Sequence, residues 1–134
     1  MRSPRVTSNR SKVIKNLCDK HGIKITTGSK MGNKITVIDG IKFRSKKEAD
    51  RYCVLKVLEK SKAISDLKLQ VSFELVPSQI IQGKKKRPIC YVADFVYIEN
   101  GVKVVEDVKG AITEIYRIKR HLMKFVHGID ILET

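Results

Sequence analysis

A chain of 134 residues with 42% hydrophobic residues can build one core, which argues against wholesale disorder. It has no run of about 18 apolar residues and no apolar stretch behind its basic N-terminus, so neither a membrane span nor a secretory signal is predicted. The formal net charge of +14 favours nucleic acid as the partner, because basic side chains displace counterions from phosphates.

The positive charge is unevenly distributed along the chain. Residues 1–47 carry 13 basic and 2 acidic side chains, whereas the remainder is nearly balanced. Cys18, Cys53 and Cys90 are odd in number and widely spaced, which favours neither a disulfide framework nor a zinc site. We therefore expect a basic N-terminal region in a protein of the reducing cytoplasm.

The N-terminal third is predicted to contain a loose tail over residues 1–9, a short helix over residues 10–20 and two β-rich stretches. These stretches, residues 23–27 and 34–38, are separated by the turn-prone sequence GSKMGN. Asp39-Gly40 is a typical hairpin dipeptide, so residues 34–38 should pair with residues 41–43.

The clearest helix signal begins at Ser45 and ends near Lys60. The sequence SKKE is a capping box, in which Ser45 accepts from the backbone N–H of Glu48 and the Glu48 side chain reaches back. The side of this helix that is predicted to be buried consists of Tyr52, Leu55 and Leu58.

The second half alternates between strand and helix patterns. Residues 69–76 alternate apolar and polar side chains as a strand with one buried face, and a basic loop follows at residues 83–88. Residues 89–98 and 102–108 are predicted to form a hairpin of largely buried strands. Thr113 should cap a helix with Ile115, Ile118, Leu122 and Phe125 at helical spacing, and residues 129–132 should form a last strand.

Two carboxylates interrupt the otherwise apolar strands of this hairpin. Asp94 and Asp107 are disfavoured in strands and costly to bury as anions unless they are paired or bound to metal. Asp107 and Lys109 are two residues apart and therefore share a face, whereas Glu106 points to the other face of an ideal strand. A divalent cation such as Mg²⁺ or Mn²⁺ would offset the repulsion between the two carboxylates. The alternative is that both are strand-end residues and that Lys109 is a plain salt-bridge partner.

The order helix, three strands, helix, strand, with Asp on the second strand and Asp-Val-Lys on the third, resembles the core of PD-(D/E)XK nucleases. More narrowly, the runs DGIKFRSKKEADRY, LKLQVSFEL, RPICYVADFVY, VVEDVKG and YRIKRHLMKF resemble small phage-associated proteins of that superfamily. The resemblance covers residues 39–134. It implies an α/β (α+β) restriction-endonuclease-like core, with a mixed central sheet flanked by helices. Residues 1–38 would form a basic arm that the resemblance does not cover.

The resemblance also implies roles for particular residues. Asp94 and Asp107 would be metal ligands, Lys109 the catalytic lysine, and Glu48 the acidic ligand that the first core helix contributes. Capping of that helix is a competing explanation for Glu48. The proline that often precedes the first aspartate is replaced by Ala93.

Further polar residues are candidates for contacts with DNA, each with an ordinary alternative. Gln70 could line the site or be an exposed strand residue, and helix charges are by default solvated. A charge run in a loop can simply be solubilising. The DNA-binding candidates are Gln70, the loop residues Lys84, Lys85, Lys86 and Arg87, and the helix residues Tyr116, Lys119 and Arg120.

The predicted function is Mg²⁺- or Mn²⁺-dependent hydrolysis of phosphodiester bonds in DNA, without a small-molecule cofactor. The resemblance implies a phage or prophage recombination nuclease such as a Holliday junction resolvase. Such a protein would act on branched DNA as a homodimer in the bacterial host cytoplasm. The alternative is a non-catalytic DNA-binding or architectural protein that retains the fold. A small RNA-associated protein would explain the charge but not the buried carboxylates.

Overall fold

The computed structural model describes residue 16 and residues 19–22, 25–30 and 33–134. It has a mixed α+β structure, which confirms the predicted class, and it divides into two compact units after Ala63. The predicted division into an arm of residues 1–38 and a core of residues 39–134 stays a prediction. The predicted tail over residues 1–9 and the apolar residues of the first predicted helix lie outside the described residues, although Asn16, Asp19 and Lys20 are helical.

The first unit contains an antiparallel sheet of β1 (Ile25–Lys30), β2 (Asn33–Ile38) and β3 (Ile41–Phe43). Asp39 and Gly40 both adopt positive φ, 51° and 79°, which a two-residue type I′ hairpin requires, and the predicted pairing of β2 with β3 is confirmed. The turn predicted over residues 28–33 is wrong for residues 28–30 and 33, which lie in strands. Residues 23, 24, 31 and 32 lie outside the described residues.

Helix α1 (Lys46–Lys60) has the predicted bounds, and Ser45 Oγ accepts from the Glu48 N–H at 3.1 Å. The cap satisfies one of the backbone donors that a helix N-terminus leaves without an intrahelical acceptor. The buried face differs from the predicted stripe, because Ala49 and Cys53 join Tyr52 and Leu55 while Leu58 is only half-buried.

The second unit contains a four-stranded sheet, whose strands in spatial order are β4 (Ser65–Val76), β7 (Ile89–Glu99), β8 (Val102–Asp107) and β9 (Leu132–Glu133). Strands β8 and β9 are parallel, and the other neighbours are antiparallel. The predicted strands are present, but the first begins four residues earlier than expected and the last is shifted towards the C-terminus. The turn between β7 and β8 is formed by Asn100 and Gly101, again with positive φ.

The predicted basic loop is in fact half of a small hairpin. β5 (Gln79–Ile81) pairs with β6 (Lys84–Lys86) across a turn at Gln82 and Gly83, whose φ values are 51° and 73°. All six strand residues are exposed. The lysines therefore project from a two-stranded ribbon, and the expectation of a loop is wrong for Lys84, Lys85 and Lys86.

Helix α2 (Glu114–His127) follows β8, and Thr113 caps it as predicted, by accepting from the Tyr116 N–H at 3.2 Å. Gly128 ends the helix with a left-handed φ of 68°. The helix buries Tyr116 and Met123, which pack with Phe73, Leu75, Tyr91, Ala93, Val96 and Val105 in the core of this unit.

The residues whose spacing predicted α2 are not its buried face. Ile115, Ile118 and Phe125 are exposed, and Leu122 is half-buried. These four residues are called the apolar stripe below. As for membrane association, no helix in the described part of the chain has the length and apolar character that crossing a bilayer requires.

Candidate active site

A local distortion lies where Gln70 of β4 faces Asp94 of β7. The pairs Leu69–Phe95 and Val71–Ala93 flank this position, and Gln70 itself has a φ of 52°. A non-glycine residue in the left-handed region costs on the order of 1–3 kcal/mol, and such strain is concentrated at functional sites. Here the distorted position brings Gln70 Nε2 to 3.2 Å from Asp94 Oδ1, to which it donates.

The other oxygen of Asp94 is held at the end of β8. Its Oδ2 accepts from the backbone N–H of Val108 at 2.9 Å. Phe95 pairs with Glu106, so one step further along the ladder Asp94 lies opposite Asp107. The two carboxylates thus lie on neighbouring strands, where the pairing of β7 with β8 ends.

Asp107 is the last residue of β8 and is 4% exposed. Its Oδ2 accepts from the Tyr91 hydroxyl at 2.7 Å and forms an ion pair with Lys109 Nζ at 3.0 Å. The backbone here is fixed by bonds to the end of the chain, from Thr134 N to Asp107 O and from Lys109 N to Thr134 O. The predicted shared face of Asp107 and Lys109 is confirmed.

Two tyrosines complete the surroundings of these charges. The Lys109 ammonium lies 3.7 Å from the centroid of the Tyr116 ring, within the range of a cation–π contact. Burial, together with the hydrogen bond to Asp107, raises the pKa of Tyr91 above its ordinary value. Burial and the nearby Glu133 and Asp107 carboxylates raise the pKa of Tyr116. Both tyrosines are therefore neutral hydroxyl groups at physiological pH.

Tyr91 was not among the predicted site residues. In an ideal strand Tyr91 and Asp94 point to opposite faces, so the alternation gave no reason to group them. The distortion at Gln70 could not be read from the sequence either, although Gln70 had been singled out as a polar residue that could line the site. Glu106 is completely buried, and it is Asp107 that contacts Lys109, which agrees with the preference for Asp107 over Glu106.

The structure also describes the surroundings of the remaining candidates. Glu48 belongs to the first unit, in the first turn of α1, where its N–H takes part in the cap. Arg120 forms an ion pair with Glu133 at 2.6 Å, and this contact lowers the pKa of Glu133. Lys119 is half-buried on α2. The basic run Lys84–Lys86 with Arg87 is exposed.

A cavity of about 350 Å³ lies beside α2. It is lined by Arg117, Arg120, His121, Lys124, Ile129, Asp130 and Ile131. Arg120 connects this cavity with the site, because its guanidinium lies 5.6 Å from the Tyr116 ring centroid. The cavity therefore adjoins the side of the site that Tyr116 lines.

The side chains of this site limit how many protein ligands a bound metal ion could have. No group of three or more His, Cys, Asp or Glu side chains suited to a metal ion occurs within the described ranges. Mg²⁺ commonly uses one or two carboxylates and completes its shell with waters and substrate phosphates. Asp94 and Asp107 fit that pattern, whereas an all-protein cage does not.

Comparison with known proteins gave one match. No curated protein and no solved structure matches the chain. A family model described as "Protein of unknown function (DUF1064)" matches residues 28–128, a span that contains Gln70, Tyr91, Asp94, Asp107 and Lys109. The chain therefore belongs to the DUF1064 family.

Proposed function

We propose that this protein is a metal-dependent endonuclease that hydrolyses phosphodiester bonds in DNA. One observation carries the proposal: the Lys109 ammonium lies 3.0 Å from Asp107, at the strand end where Val108 N–H fixes Asp94. Two carboxylates and one ammonium leave a net charge of −1 in this cluster. Addition of a divalent cation would reverse that sign and attract a phosphate.

The proposal includes a restriction-endonuclease-like core for the fold. Its support is the mixed sheet in which β8 is followed by α2 and then by β9, parallel to β8. Asp94 lies on the second long strand of this sheet and Asp107 ends the third. This order agrees with the resemblance to PD-(D/E)XK nucleases.

Asp94 and Asp107 would hold Mg²⁺ or Mn²⁺, and the ligand role that the resemblance implies for Glu48 stays a prediction. The chemistry that the ion supplies when bound is polarisation of the scissile phosphate and acidification of a water. Carboxylate oxygens are the ligands that both ions prefer, and an oxygen that accepts one hydrogen bond retains lone-pair capacity.

Lys109 would position the attacking water and stabilise the negative charge that develops on the phosphate. Water oxygen bonds to phosphorus and the bond from phosphorus to one sugar oxygen breaks. A proton released by the attacking water passes through solvent to that sugar oxygen, which leaves as a hydroxyl. Tyr91 and Gln70 are positioning residues, because each donates to one carboxylate and restricts its rotation. The cation–π contact with Tyr116 restricts the long Lys109 side chain in the same way.

The proposed contacts with DNA lie on two elements. The ribbon β5–β6 presents Lys84, Lys85 and Lys86, followed by Arg87, and all of them are exposed to solvent. On α2 the candidates are Tyr116, Lys119 and Arg120. Cationic side chains at these positions would bind phosphates whatever the base sequence. Branched DNA, as in recombination of a phage in its bacterial host, is the proposed substrate class.

A second function has an observation in its favour. Asp107 is buried and its Oδ2 already has two donors, an arrangement that a purely structural ion pair would also produce. The alternative is thus a DNA-binding protein without catalysis. It explains the basic surface but gives no reason for placing Asp94 opposite Asp107.

The test is a cleavage assay with the purified full chain. Linear duplex, single-stranded and four-way-junction DNA are incubated with Mg²⁺, Mn²⁺ or EDTA. We expect cleavage with either ion, none with EDTA, and loss of cleavage in Lys109→Ala with DNA binding retained. Lys56→Ala is the matched control, since it removes a lysine that pairs with Glu59 at 3.1 Å on α1. Tight binding without cleavage of any substrate would support the non-catalytic alternative.

A further inference from the structure

The apolar stripe of α2 is unusually exposed for a protein of this charge. Ile115 is 68% exposed, Ile118 61% and Phe125 84%, and the neighbouring Val126 is 45% exposed. Leu122 lies between them and packs partly against the core. Isolated exposed apolar residues are ordinary, but a contiguous apolar surface on one helix marks an interaction site.

The spacing within the stripe indicates what binds there. Ile115, Ile118, Leu122 and Phe125 follow one another at intervals of three, four and three residues. This is the spacing at which two helices pack their side chains into each other along a shared seam. An extended peptide strand, whose side chains alternate with a period of two, does not match this interval.

The stripe is also complementary to itself. When two copies of α2 lie antiparallel, Ile115 faces Phe125 of the second copy and Ile118 faces Leu122 of the second copy. Each contact then occurs twice about a twofold axis, as in an isologous interface. The smaller Ile115 meets the larger Phe125 at both ends of the contact between the two helices.

The charges at the helix ends favour the antiparallel arrangement. The first turn carries Glu114, and the last turn carries Lys124 and His127. In an antiparallel pair Glu114 lies opposite the basic last turn of the second copy, and the helix dipoles are opposed favourably. A parallel pair would instead place like ends together.

The available area suffices for a specific but modest interface. A helix of this length is roughly 21 Å long. Its exposed apolar side chains offer roughly 500 Å² per copy, so a pair would bury on the order of 1,000 Å², the lower limit of specific interfaces. The association should therefore depend on protein concentration.

We propose that the apolar stripe is a homodimer interface, in which α2 packs antiparallel against α2 of a second copy. The inference rests on the exposed stripe and not on catalysis. It does deepen the proposed function, because a twofold pair presents two copies of the Asp94–Asp107–Lys109 cluster to the two strands of a DNA branch.

Sedimentation velocity of the full chain without DNA or metal tests the interface. We expect a monomer–dimer equilibrium across a hundredfold range of concentration. The dissociation constant of the dimer should be at least tenfold higher in Phe125→Glu and in Ile118→Glu. Ile80→Glu is the matched control, since Ile80 is 77% exposed on the β5–β6 ribbon and should leave the equilibrium unchanged. Circular dichroism checks that all variants are folded.

Disulfide cross-linking tests the orientation. The variants Ile115→Cys and Phe125→Cys are oxidised separately and as a mixture, with the parent chain as the control for native cysteines. Antiparallel pairing predicts a covalent dimer only in the mixture. Covalent dimers of each single variant alone would indicate parallel pairing and contradict the proposed arrangement.

The outcomes separate this inference from the proposed function. A chain that is monomeric at all concentrations, or a dimer unaffected by Phe125→Glu, overturns the interface, whether the stripe is covered by another protein or by another part of the chain. A monomer that still cleaves DNA leaves the nuclease proposal intact. A dimer of the predicted geometry that cleaves nothing overturns the nuclease proposal and leaves the interface standing.

Discussion

At the scale of single residues, the cluster balances charges that would otherwise repel. Any two unit charges of like sign repel by around 4 kcal/mol at a separation of about 4 Å and an effective dielectric constant of about 20, and the repulsion falls with distance. The Tyr91 hydroxyl, the Lys109 ammonium, the Gln70 amide and the Val108 N–H each donate to one of them. Four donors from four positions therefore offset the negative charge of the two carboxylates.

Tyr91→Phe should lower the free energy of unfolding by about 2 kcal/mol, because it removes a buried hydrogen bond to a charged group. Tyr52→Phe is the matched control. Its hydroxyl reaches Asp39 at 3.4 Å, so its loss should cost less than about 1 kcal/mol. Urea unfolding followed by circular dichroism measures both. Equal decreases in the free energy of unfolding of the two variants would mean that the hydrogen bond to Asp107 contributes no more than the one to Asp39.

Gln70→Val should destabilise the protein by about 1 kcal/mol or more, although valine favours strands. A β-branched side chain fits the left-handed conformation at Gln70 poorly, and the donor to Asp94 is lost. Ser72→Val, two residues along on the exposed side of the same strand, should be neutral or stabilising. A neutral Gln70→Val would contradict the claim that the backbone is strained there.

At the scale of elements, the two ends of α2 are defined by local sequence. Thr113 caps the first turn and Gly128 ends the last turn in a left-handed conformation. These positions were recognisable in advance because the capping signals involve only neighbouring residues.

Gly128→Ala should cost about 1 kcal/mol of unfolding free energy, because alanine is strained at a φ of 68° even though no atom lies within 4 Å of its added Cβ. Gly110→Ala is the control. Its added Cβ also meets nothing within 4 Å, but its φ is not in the left-handed region. Thermal unfolding compares the two, and a larger loss in Gly110→Ala would contradict the capping argument.

Other features of the elements depended on tertiary packing and escaped sequence reasoning. The spacing of Ile115, Ile118, Leu122 and Phe125 predicted the helix, but a helical period does not say which partner covers the apolar side. The hairpins at Asp39-Gly40 and Asn100-Gly101 were predictable from turn residues. The ribbon β5–β6 was missed because three consecutive lysines lack the apolar alternation of a strand.

The candidate site was predictable only in part. Asp94, Asp107 and Lys109 stood out because charged residues interrupted apolar strands, and their spacing placed Asp107 beside Lys109. Tyr91 escaped notice because it lies three residues before Asp94 on β7, so strand alternation assigns the two side chains to opposite faces. Its hydrogen bond to Asp107 joins two strands, and a pattern along one strand does not report such a contact.

At the scale of the whole molecule, titration of buried tyrosines should limit stability in alkali. Burial and Asp39 raise the pKa of Tyr52 to about 12, and the pKa values of Tyr91 and Tyr116 are raised further. An unfolded tyrosine loses its proton near pH 10. Between these values the unfolded chain binds fewer protons than the folded chain, so the free energy of unfolding falls as the pH rises.

We therefore expect tyrosinate absorbance to appear together with cooperative loss of structure above about pH 10. Combined absorbance and circular dichroism titrations measure this. Tyrosines that all ionise near their ordinary pKa while the chain stays folded would contradict the buried environments of Tyr91 and Tyr116.

The formal net charge of +14 favours binding of the whole molecule to nucleic acid, but charge alone does not distinguish binding from hydrolysis.

The most direct measurement is the single-turnover rate of four-way-junction cleavage in Mg²⁺, with protein in excess, for the unaltered chain and for Asp107→Asn. Asparagine keeps the shape of the side chain and removes the negative charge. We expect a rate at least about a hundredfold lower with junction affinity nearly unchanged. Cleavage by Asp107→Asn at the rate of the unaltered chain would contradict a role for Asp107 in catalysis.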